Sequence, residues 1–459
     1  MSQPQLIDTN LKLIASRWPA IAAQLTRIDI DGINAQLEQG LEQTISVNGI
    51  QLSSRHNRIA EASLLCQAIP TAATEIDCYG IGMGDVPWYL LHEKQVQSLR
   101  VHCLNLSLLK LLLTYTDQSQ WLSHPQLTLL TTPAHMGLGR LWLACTADLG
   151  FCDEPYQYQR DIILHEKNVG FANRRHEANR ALHLQRFEDN QPFWQHDEDA
   201  LQLRQIYADK QAALVIASGP SLASHYAWLQ QVYALPQSQR PLIIAVDTAL
   251  KGLMSQQIGC DIVVSIDELI TPAMIQAPQL VAQHAQHQSP PALVYFPKSR
   301  PDLLASWPGK RYAAYSTQPI FDSLCQRAQH CRLFANGSVL HPAVDLACQL
   351  GIKQTYLIGA DFGFVDGRTH AAWEDGALGP KVSFAKHSIK NGEGKLISTN
   401  LNFISYLRAL ELFIAKQPHC QFQRLSQAGA AIRGCAYQDP KALLRQWQAQ
   451  SQLRRSHAE

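Results

Sequence analysis

Residues 213–222 are Ala213-Leu214-Val215-Ile216-Ala217-Ser218-Gly219-Pro220-Ser221-Leu222, an apolar run that ends in a glycine-proline turn. Five consecutive apolar residues are typical of a strand that is covered on both faces, as in a parallel sheet. Gly219 lets the backbone approach a ligand closely, and a following helix would direct free amides at a phosphate. Ser221 can cap that helix or donate to the ligand. The stretch therefore predicts an α/β domain with a phosphate or nucleotide site.

The same pattern continues along the chain. Further apolar runs lie at residues 242–246, 262–266, 293–296 and 355–359, and helical patterns separate most of them. The helix before the last run has a clear apolar face and ends at Gly351, a typical stop signal. A βαβαβ order of this kind predicts a Rossmann-like, doubly wound α/β domain.

A smaller α/β pattern precedes this domain. Residues 75–79 lead into the turn Gly80-Ile81-Gly82-Met83-Gly84, then a helical stretch and a second strand that ends in Asn105. Such a turn is compatible with a dinucleotide or S-adenosylmethionine site. Asn105 stands where these sites usually carry an acid for the ribose, which favours the alternative of an accessory domain whose glycines serve tight packing.

Composition excludes several classes of protein. The 39 basic and 38 acidic residues give a net charge of +1, so we expect neither a nucleic-acid binder nor an anionic-membrane binder. The N-terminus lacks a signal-peptide pattern and no long apolar window follows, which predicts a soluble cytoplasmic protein. The 11 cysteines form no C-x-x-C pair, so we expect free thiols and no metal site.

Polar residues follow four of the predicted strands, where ligands of parallel sheets bind. They are Ser218-Gly219-Pro220-Ser221, Asp247-Thr248, Asp267-Glu268 and Asp361. The acids can contact ribose or base groups, hold a metal, or simply cap the next helix. The convergence of four such positions at one sheet edge favours a ligand site.

Histidines near the same edge are candidate bases. His370 lies shortly after Asp361 and an Asp366-Gly367 turn, and His387 is the competing candidate. A neutral imidazole is the usual group for activating a hydroxyl. His341 is expected to serve its helix without chemistry. The chain has neither a G-x-x-x-x-G-K-[ST] motif nor a G-x-S-x-G motif, which argues against a P-loop ATPase and an acyl hydrolase.

With these motifs in order, the second domain resembles the motility accessory factor family of flagellin glycosyltransferase-like proteins. That family shares a domain with hydroxymethylpterin diphosphokinase-like proteins and is similar to bacterial CMP-dependent sialyltransferases. The matching stretches are 217–222, 245–250, 258–267, Asn336-Gly337-Ser338-Val339, 358–370 and, beyond them, 425–434.

The resemblance implies transfer of a nonulosonic acid, pseudaminic or legionaminic in type, from a CMP-sugar to Ser or Thr hydroxyls of flagellin. The donor would contact Ser218, Gly219, Pro220, Ser221, Asp247, Thr248, Asp267, Asn336, Gly337, Ser338 and Asp361. His370 or His387 would be the base, and Lys298, Arg300, Tyr312 and Tyr315 are candidate donors to the leaving phosphate. No cofactor besides the donor substrate is implied.

The predicted organisation has five parts. They are a helical segment (1–50), a Rossmann-like accessory domain (51–160), a helical connector (161–210), a nucleotide-sugar-binding glycosyltransferase domain (211–436) and a C-terminal helix (437–459). Two alternative functions stay open: a 6-hydroxymethylpterin diphosphokinase-like enzyme that uses ATP and Mg²⁺, and a non-catalytic flagellin-binding assembly factor. The sequence leaves the sugar, the acceptor sites and the oligomeric state open.

Overall fold

The computed structural model describes residues 3–71, 73–134, 137–275, 290–374, 376–379, 381–385 and 387–456. The chain divides into two compact units, Met1–Asn168 and Val169–Glu459.

The first unit begins with the helices Gln3–Arg17 and Pro19–Arg27. An antiparallel sheet follows, formed by β1 (Ala35–Gln39), β2 (Gln43–Val47) and β3 (Ile50–Gln51). The expectation of a helical segment over residues 1–50 is therefore wrong beyond Arg27. The missed signal is the Asn48-Gly49 pair, whose φ angles of 50° and 80° form the turn that hairpins prefer.

A four-stranded parallel sheet forms the centre of the first unit. Its strands are β4 (Glu75–Tyr79), β5 (Ser98–His102), β6 (Leu127–Leu130) and β7 (Trp142–Ala144), in the order β6-β5-β4-β7. The helices of this region are Arg58–Leu65, Asp85–His92, Leu106–Tyr115, Ser119–Leu122 and Thr146–Gly150. β5 and β6 are added on one side of β4, and β7 is added on the other side. The end of β4 is therefore the switch point of this sheet.

The predicted connector is not only helical. It holds the helices Gln157–Ala178, Arg180–Asp189, Gln191–Trp194 and Leu203–Ile206, and also the short strand β8 (Glu198–Asp199). β8 pairs in parallel with the last strand on one side of the second unit's sheet. Two residues carry too little periodicity for a strand to be predicted from sequence.

The second unit is built on a nine-stranded sheet in the order β20-β19-β16-β9-β10-β11-β12-β13-β8, with every pairing parallel. Its strands and those of two smaller sheets are β9 (Ala212–Ile216), β10 (Leu242–Val246), β11 (Ile262–Ser265), β12 (Ala292–Tyr295), β13 (Arg311–Ala313), β14 (Tyr315–Ser316), β15 (Arg332–Leu333), β16 (Gln354–Ile358), β17 (His387–Lys390), β18 (Leu396–Thr399), β19 (Gln421–Arg424) and β20 (Cys435–Tyr437).

Helices connect most of these strands: Tyr226–Tyr233, Leu250–Ser255, Pro301–Ser306, Asp322–Cys325, Leu340–Gln349 and Leu401–Ile414, with Pro440–Ser456 after β20. Residues 457–459 of the predicted C-terminal helix lie outside the described residues. Leu214, Ile243 and Leu293 have no exposed surface, and replacing any of them with alanine would cost about 2–5 kcal/mol. The parallel sheet with connecting helices confirms the predicted Rossmann-like α/β fold.

Candidate functional site

The carboxyl end of β9 lies at the switch point of the large sheet. Strands β10 to β13 continue on one side of β9, whereas β16, β19 and β20 lie on the other. Connections that leave in opposite directions open a crevice between β9 and β16, which is where open parallel sheets bind ligands. The Ser218-Gly219-Pro220-Ser221 turn and Asp361 follow these two strands, so the sheet brings them together.

Gly219 is required by close contact with the loop after β16. Its amide donates to the carbonyl of Gly359 at 2.9 Å. A Cβ on Gly219 would lie 2.3 Å from that carbonyl oxygen and 2.6 Å from Oδ2 of Asp361. Any larger residue would therefore force two strand ends apart.

Asp361 fills the place in this turn where a phosphate was expected. Its Oδ2 accepts the amide of Ser221 at 2.7 Å and its Oδ1 accepts the Ser221 hydroxyl at 2.6 Å. The amide of Leu222 donates to the Gly219 carbonyl. Burial raises the pKa of Asp361, and its contacts with Ser221 act in the opposite direction. The turn thus differs from the expected cradle of free amides, because these amides already donate within the protein.

The ends of β9, β10 and β11 are joined by side-chain hydrogen bonds. The Thr248 hydroxyl donates to the Ser218 hydroxyl at 2.8 Å. Asp247 accepts the Thr248 amide and the Ser265 hydroxyl, both at 2.7 Å. Burial raises the pKa of Asp247 to about 7, and the charge of Asp267 adds to this effect. The Asp247 carboxyl therefore changes charge near neutral pH.

Asp267 and Lys298 follow β11 and β12. Asp267 is exposed and accepts the amide of Leu269 at 2.9 Å. Burial lowers the pKa of Lys298, while Glu268 and Asp267 oppose that shift by their negative charge. Glu268 in turn contacts the ring of His183. The charge of the Lys298 ammonium is thus balanced by two carboxylates at this edge of the sheet.

The other cations and phenols expected at this edge are engaged elsewhere. Arg300 forms two hydrogen bonds with Asp302, and the Tyr315 hydroxyl donates to the carbonyl of Ala328. Tyr312 is a buried residue within β13. Of the four groups, Lys298 alone keeps its predicted place at a strand end.

His370 is brought to the Ser218 turn by its neighbours in the chain. The amide of Ala371 donates to the Ser218 carbonyl at 2.7 Å, and the Trp373 indole donates to the Thr248 carbonyl at 2.9 Å. Nδ1 of His370 is buried and has no hydrogen-bond partner among the described residues. Burial lowers the pKa of His370 to about 4, so the ring is neutral at pH 7. A neutral imidazole with an unused nitrogen can accept a proton, and a pKa of about 4 makes it a weak base.

With this geometry in view, comparison with known proteins adds one domain assignment. Residues 185–367 match the family model described as 6-hydroxymethylpterin diphosphokinase MptE-like. The match confirms that the second unit shares a domain with hydroxymethylpterin diphosphokinase-like proteins. It contains β9 to β13, β16 and the strand-end acids.

Comparison with solved structures gives a similarity to a structure described as MAf glycosyltransferase from Magnetospirillum magneticum AMB-1. The TM-score is 0.43 and the sequence identity is 13%, over 98% of this chain and 78% of that chain. No curated protein matches the chain.

His370 lies just beyond the MptE-like segment, and His387 lies further along the chain in a separate hairpin. His387 begins β17, which pairs with β18 in an antiparallel hairpin. The turn of this hairpin reaches the β19–β20 connection through a bridge between Asn391 and Ala430. The two candidate bases therefore belong to different structural elements.

The Asn336-Gly337-Ser338 turn stabilises the start of the helix Leu340–Gln349. The Asn336 amide donates to Nδ1 of His341, whose Nε2 donates to the carbonyl of Tyr406. Gly337 has φ of 81°, and a Cβ there would lie 2.3 Å from the Tyr406 ring. Burial lowers the pKa of His341 to about 4. The described hydrogen bonds of this turn are therefore made to other groups of the protein.

His225 was not among the predicted site residues, although it lies four residues after Ser221. Its Nδ1 is 2.8 Å from the Ser221 carbonyl and its Nε2 is 2.9 Å from the Leu425 carbonyl. Its electrostatic interaction with Asp361 lowers the pKa of that carboxyl, against the effect of burial. The i, i+4 spacing from Ser221 was the available sequence signal.

The glycine turn of the first unit is closed in the same manner. Oδ1 and Oδ2 of Asp148 accept the amides of Ile81 and Gly82 at 2.7 Å and 3.1 Å. A Cβ on Gly80 would lie 2.7 Å from Asp148, and one on Gly84 would lie 2.0 Å from Gln118. These glycines permit close packing, in agreement with the accessory-domain interpretation.

The described residues contain no group of three or more His, Cys, Asp and Glu side chains arranged to hold a metal ion. All 11 cysteines are free. Within the same residues, no helix has the length and apolar character needed to cross a membrane.

Proposed function

We propose that this protein is a glycosyltransferase that moves a nonulosonic acid from a CMP-sugar to Ser or Thr hydroxyls of flagellin in the cytoplasm. The proposal rests on the resemblance of its motifs to the motility accessory factor family and on the site at the β9–β16 switch point. The MptE-like match adds support for a nucleotide at that site.

His370 is the observation that carries the proposal. Transfer to a hydroxyl needs a base that is unprotonated at neutral pH and is free to accept a proton. The lowered pKa of His370 meets the first condition, and its unpartnered Nδ1 meets the second. The amide of its neighbour Ala371 donates a hydrogen bond to the carbonyl of Ser218, the first residue of the predicted donor turn.

The chemistry is an inverting substitution. The acceptor oxygen forms a bond to the anomeric carbon of the sugar, and the bond from that carbon to the phosphate oxygen breaks. CMP leaves with the electron pair, and the acceptor proton passes to His370. A fixed cation stabilises the negative charge that develops on the leaving phosphate.

The strand-end polar groups suit a ligand that is rich in hydroxyls. Ser218, Thr248, Asp247 and Ser265 form one hydrogen-bonded row across the ends of three strands. Asp267 is exposed beside this row and can accept from a sugar or ribose hydroxyl. The resemblance puts these positions against nucleotide and sugar, where the sialyltransferases carry amides instead of acids.

A pterin diphosphokinase is the second candidate, because the matching family model carries that description. Such an enzyme would place ATP over the turn and hold Mg²⁺ with Asp247 and Asp267. Both oxygens of Asp247 already accept protein donors, which suits a hydrogen-bonding role better than a metal-ligand role. Nucleotide binding that requires Mg²⁺ and prefers ATP to CMP would favour this candidate.

The deciding experiment is intact-mass analysis of flagellin from cells with the wild-type gene, without it, and with His370→Ala or His387→Ala. We expect loss of a nonulosonate-sized mass increment in the deletion and in one histidine variant. An unchanged mass in the deletion strain would refute the proposal. Loss in the deletion with full mass in both histidine variants would favour a non-catalytic assembly factor.

A further inference from the structure

A recess opens at the carboxyl ends of β16 and β19, beside the Gly219 turn. The recess is small and partly open to solvent. Gly359 and Asp361 line this recess and also contact Gly219. Its lining residues are Leu357, Gly359, Ala360, Asp361, Arg424, Ser426, Gly429 and Ala430.

Arg424 is the cation of this recess, and its Nε has no hydrogen-bond partner among the described residues. The guanidinium makes no hydrogen bond or ion pair with side chains or backbone of the described residues, and its Nε is buried. A buried donor of a charged group without a partner is costly, and such groups are usually paired. The recess therefore presents a planar set of donors to an anion that enters from outside.

The anion cannot use the neighbouring Gly219 turn in its present geometry. Asp361 already accepts the amide and the hydroxyl of Ser221. The same bonds, with His225 nearby, compensate the Asp361 charge that would otherwise repel an anion in the recess. The position open to a negative group is thereby displaced from β9 towards β19.

Two glycines keep the recess open and hold Arg424 in place. A Cβ on Gly429 would lie 2.5 Å from Cα of Asp361. A Cβ on Gly392, in the turn of the β17–β18 hairpin, would lie 2.8 Å from the backbone of Gln427 and 3.0 Å from Nη2 of Arg424. The hairpin backbone thus packs against the guanidinium and limits its movement.

We infer that Arg424 binds the phosphate of the nucleotide donor, at a subsite formed by Arg424 and Ser426 behind Asp361. The inference rests on the proposed function, because it takes the ligand to be a nucleoside monophosphate ester. Guanidinium groups match phosphate by paired hydrogen bonds, and Ser426 adds a hydroxyl. The donor would then span the switch point, with its phosphate near β19 and its sugar near His370.

The test is isothermal titration of the full-length protein with CMP and with cytidine, which differ only in the phosphate. Wild-type protein should bind CMP more tightly than cytidine. In Arg424→Gln the affinity for CMP should fall about 10- to 100-fold while the affinity for cytidine is unchanged. Arg424→Lys keeps the charge but loses the paired geometry, so it should fall between the two.

Arg445→Gln is the matched control, because it removes an exposed arginine from the C-terminal helix. It should leave the preference for CMP intact. Thermal melting of each variant separates loss of folding from loss of binding, and Arg424→Lys tests the subsite if the glutamine variant is unstable. Titration with inorganic phosphate shows whether the subsite also takes the free ion.

The outcomes separate the two proposals. If wild type prefers CMP and Arg424→Gln retains that preference, the phosphate lies elsewhere and the inference about Arg424 is overturned while the donor class stands. If wild type binds neither CMP nor cytidine, the proposed donor and the inference both fail. Binding of inorganic phosphate alone, abolished by Arg424→Gln, would show an anion site that is unrelated to a nucleotide.

Discussion

The two glycine turns occupy equivalent places in the two units. Each follows an interior strand of a parallel sheet, β4 or β9, at the point where later strands lie on both sides. In each, a buried aspartate accepts amides of the turn: Asp148 in the first unit and Asp361 in the second. A carboxylate of the protein thus occupies the position that a ligand phosphate takes in many folds of this kind.

The surroundings of the two turns differ. Around the first, Gln118 and Trp121 lie so close to Gly84 that a single Cβ would collide with them. Around the second, the His370 Nδ1 and the Arg424 guanidinium are without partners among the described residues. A glycine turn at a switch point therefore does not by itself mark a ligand site. A recess that contains an unpaired cation is the better marker.

The largest effect is expected from His370→Gln. Loss of the base should reduce kcat for sugar transfer by about 10²–10⁴-fold, while binding of the donor changes little. Because the lowered pKa of about 4 keeps the ring neutral at higher pH, wild-type activity should not lose its base between pH 7 and pH 5. The measurement is transfer to purified flagellin at several pH values.

His387→Gln is the matched control for that experiment. It removes the same chemical group from the separate β17 hairpin and should leave most of the activity. Full activity of His370→Gln together with inactivity of His387→Gln would assign the base to the hairpin. An inactive His370→Gln that also fails to bind CMP would indicate a role in binding.

The next effect compares alanine substitutions in the two turns, by their unfolding free energy and by their affinity for CMP. A Cβ at Gly219 would meet the Gly359 carbonyl, so Gly219→Ala should cost about 1–3 kcal/mol through overpacking. Gly80→Ala adds a strained φ of 98° to a similar collision and should cost about 2–5 kcal/mol. Chemical denaturation gives these values, and titration with CMP should show weakened binding for Gly219→Ala alone. Weakened binding in Gly80→Ala would contradict the accessory role of the first unit.

A smaller effect concerns Asp148 and pH. Burial raises its pKa from 3.8 to about 6, so the folded state holds a proton that the unfolded state has released between these values. Stability is therefore lost as pH rises from about 4 to about 6, by up to about 3 kcal/mol, and then stays level. The difference in unfolding free energy between wild type and Asp148→Asn should follow this slope. A difference that is constant over this window would rule out the shifted carboxyl.

The smallest effect is expected from Asp247→Asn. Since the pKa of Asp247 is about 7, the carboxyl is half protonated at neutral pH, and an amide can still accept from Thr248 and donate to Ser265. Activity at pH 7 should change by less than about threefold, with a growing difference above pH 8. A large loss at pH 6 would show that the charged form is essential.

Much of the fold was predictable because long apolar runs report strands that are buried on both faces. The strands β9, β10, β11 and β16 were located by this pattern, and so was the helix that ends before Gly351. The short strands do not follow from this pattern. β8 has only two residues, and β1 to β3 come directly after two helices, whose helical spacing dominates the pattern of residues 1–50. Short pairing segments depend on their neighbours in space more than on their own sequence.

The location of the candidate site was predictable from the sequence, but its hydrogen bonds were not. Strand ends and the switch-point rule place Ser218, Asp247 and Asp361 at one edge. The rule does not tell that Asp361 turns back to bind Ser221, because that bond joins residues 140 positions apart. Arg424 was missed for a related reason. Its sequence neighbourhood is ordinary, and only the folded chain shows that its buried Nε has no partner among the described residues.

The edge strand β8 has a practical consequence for work with isolated fragments. Residues 198–199 cover the open side of β13, and the adjoining Asp197 accepts hydrogen bonds from Arg311 and the Tyr295 hydroxyl. A fragment that begins at residue 211, where the large sheet first becomes evident in the sequence, would leave an uncovered strand and an arginine without its carboxylate. Uncovered edges promote association between chains. A fragment of the second unit should therefore include β8 and Asp197 and extend past β20.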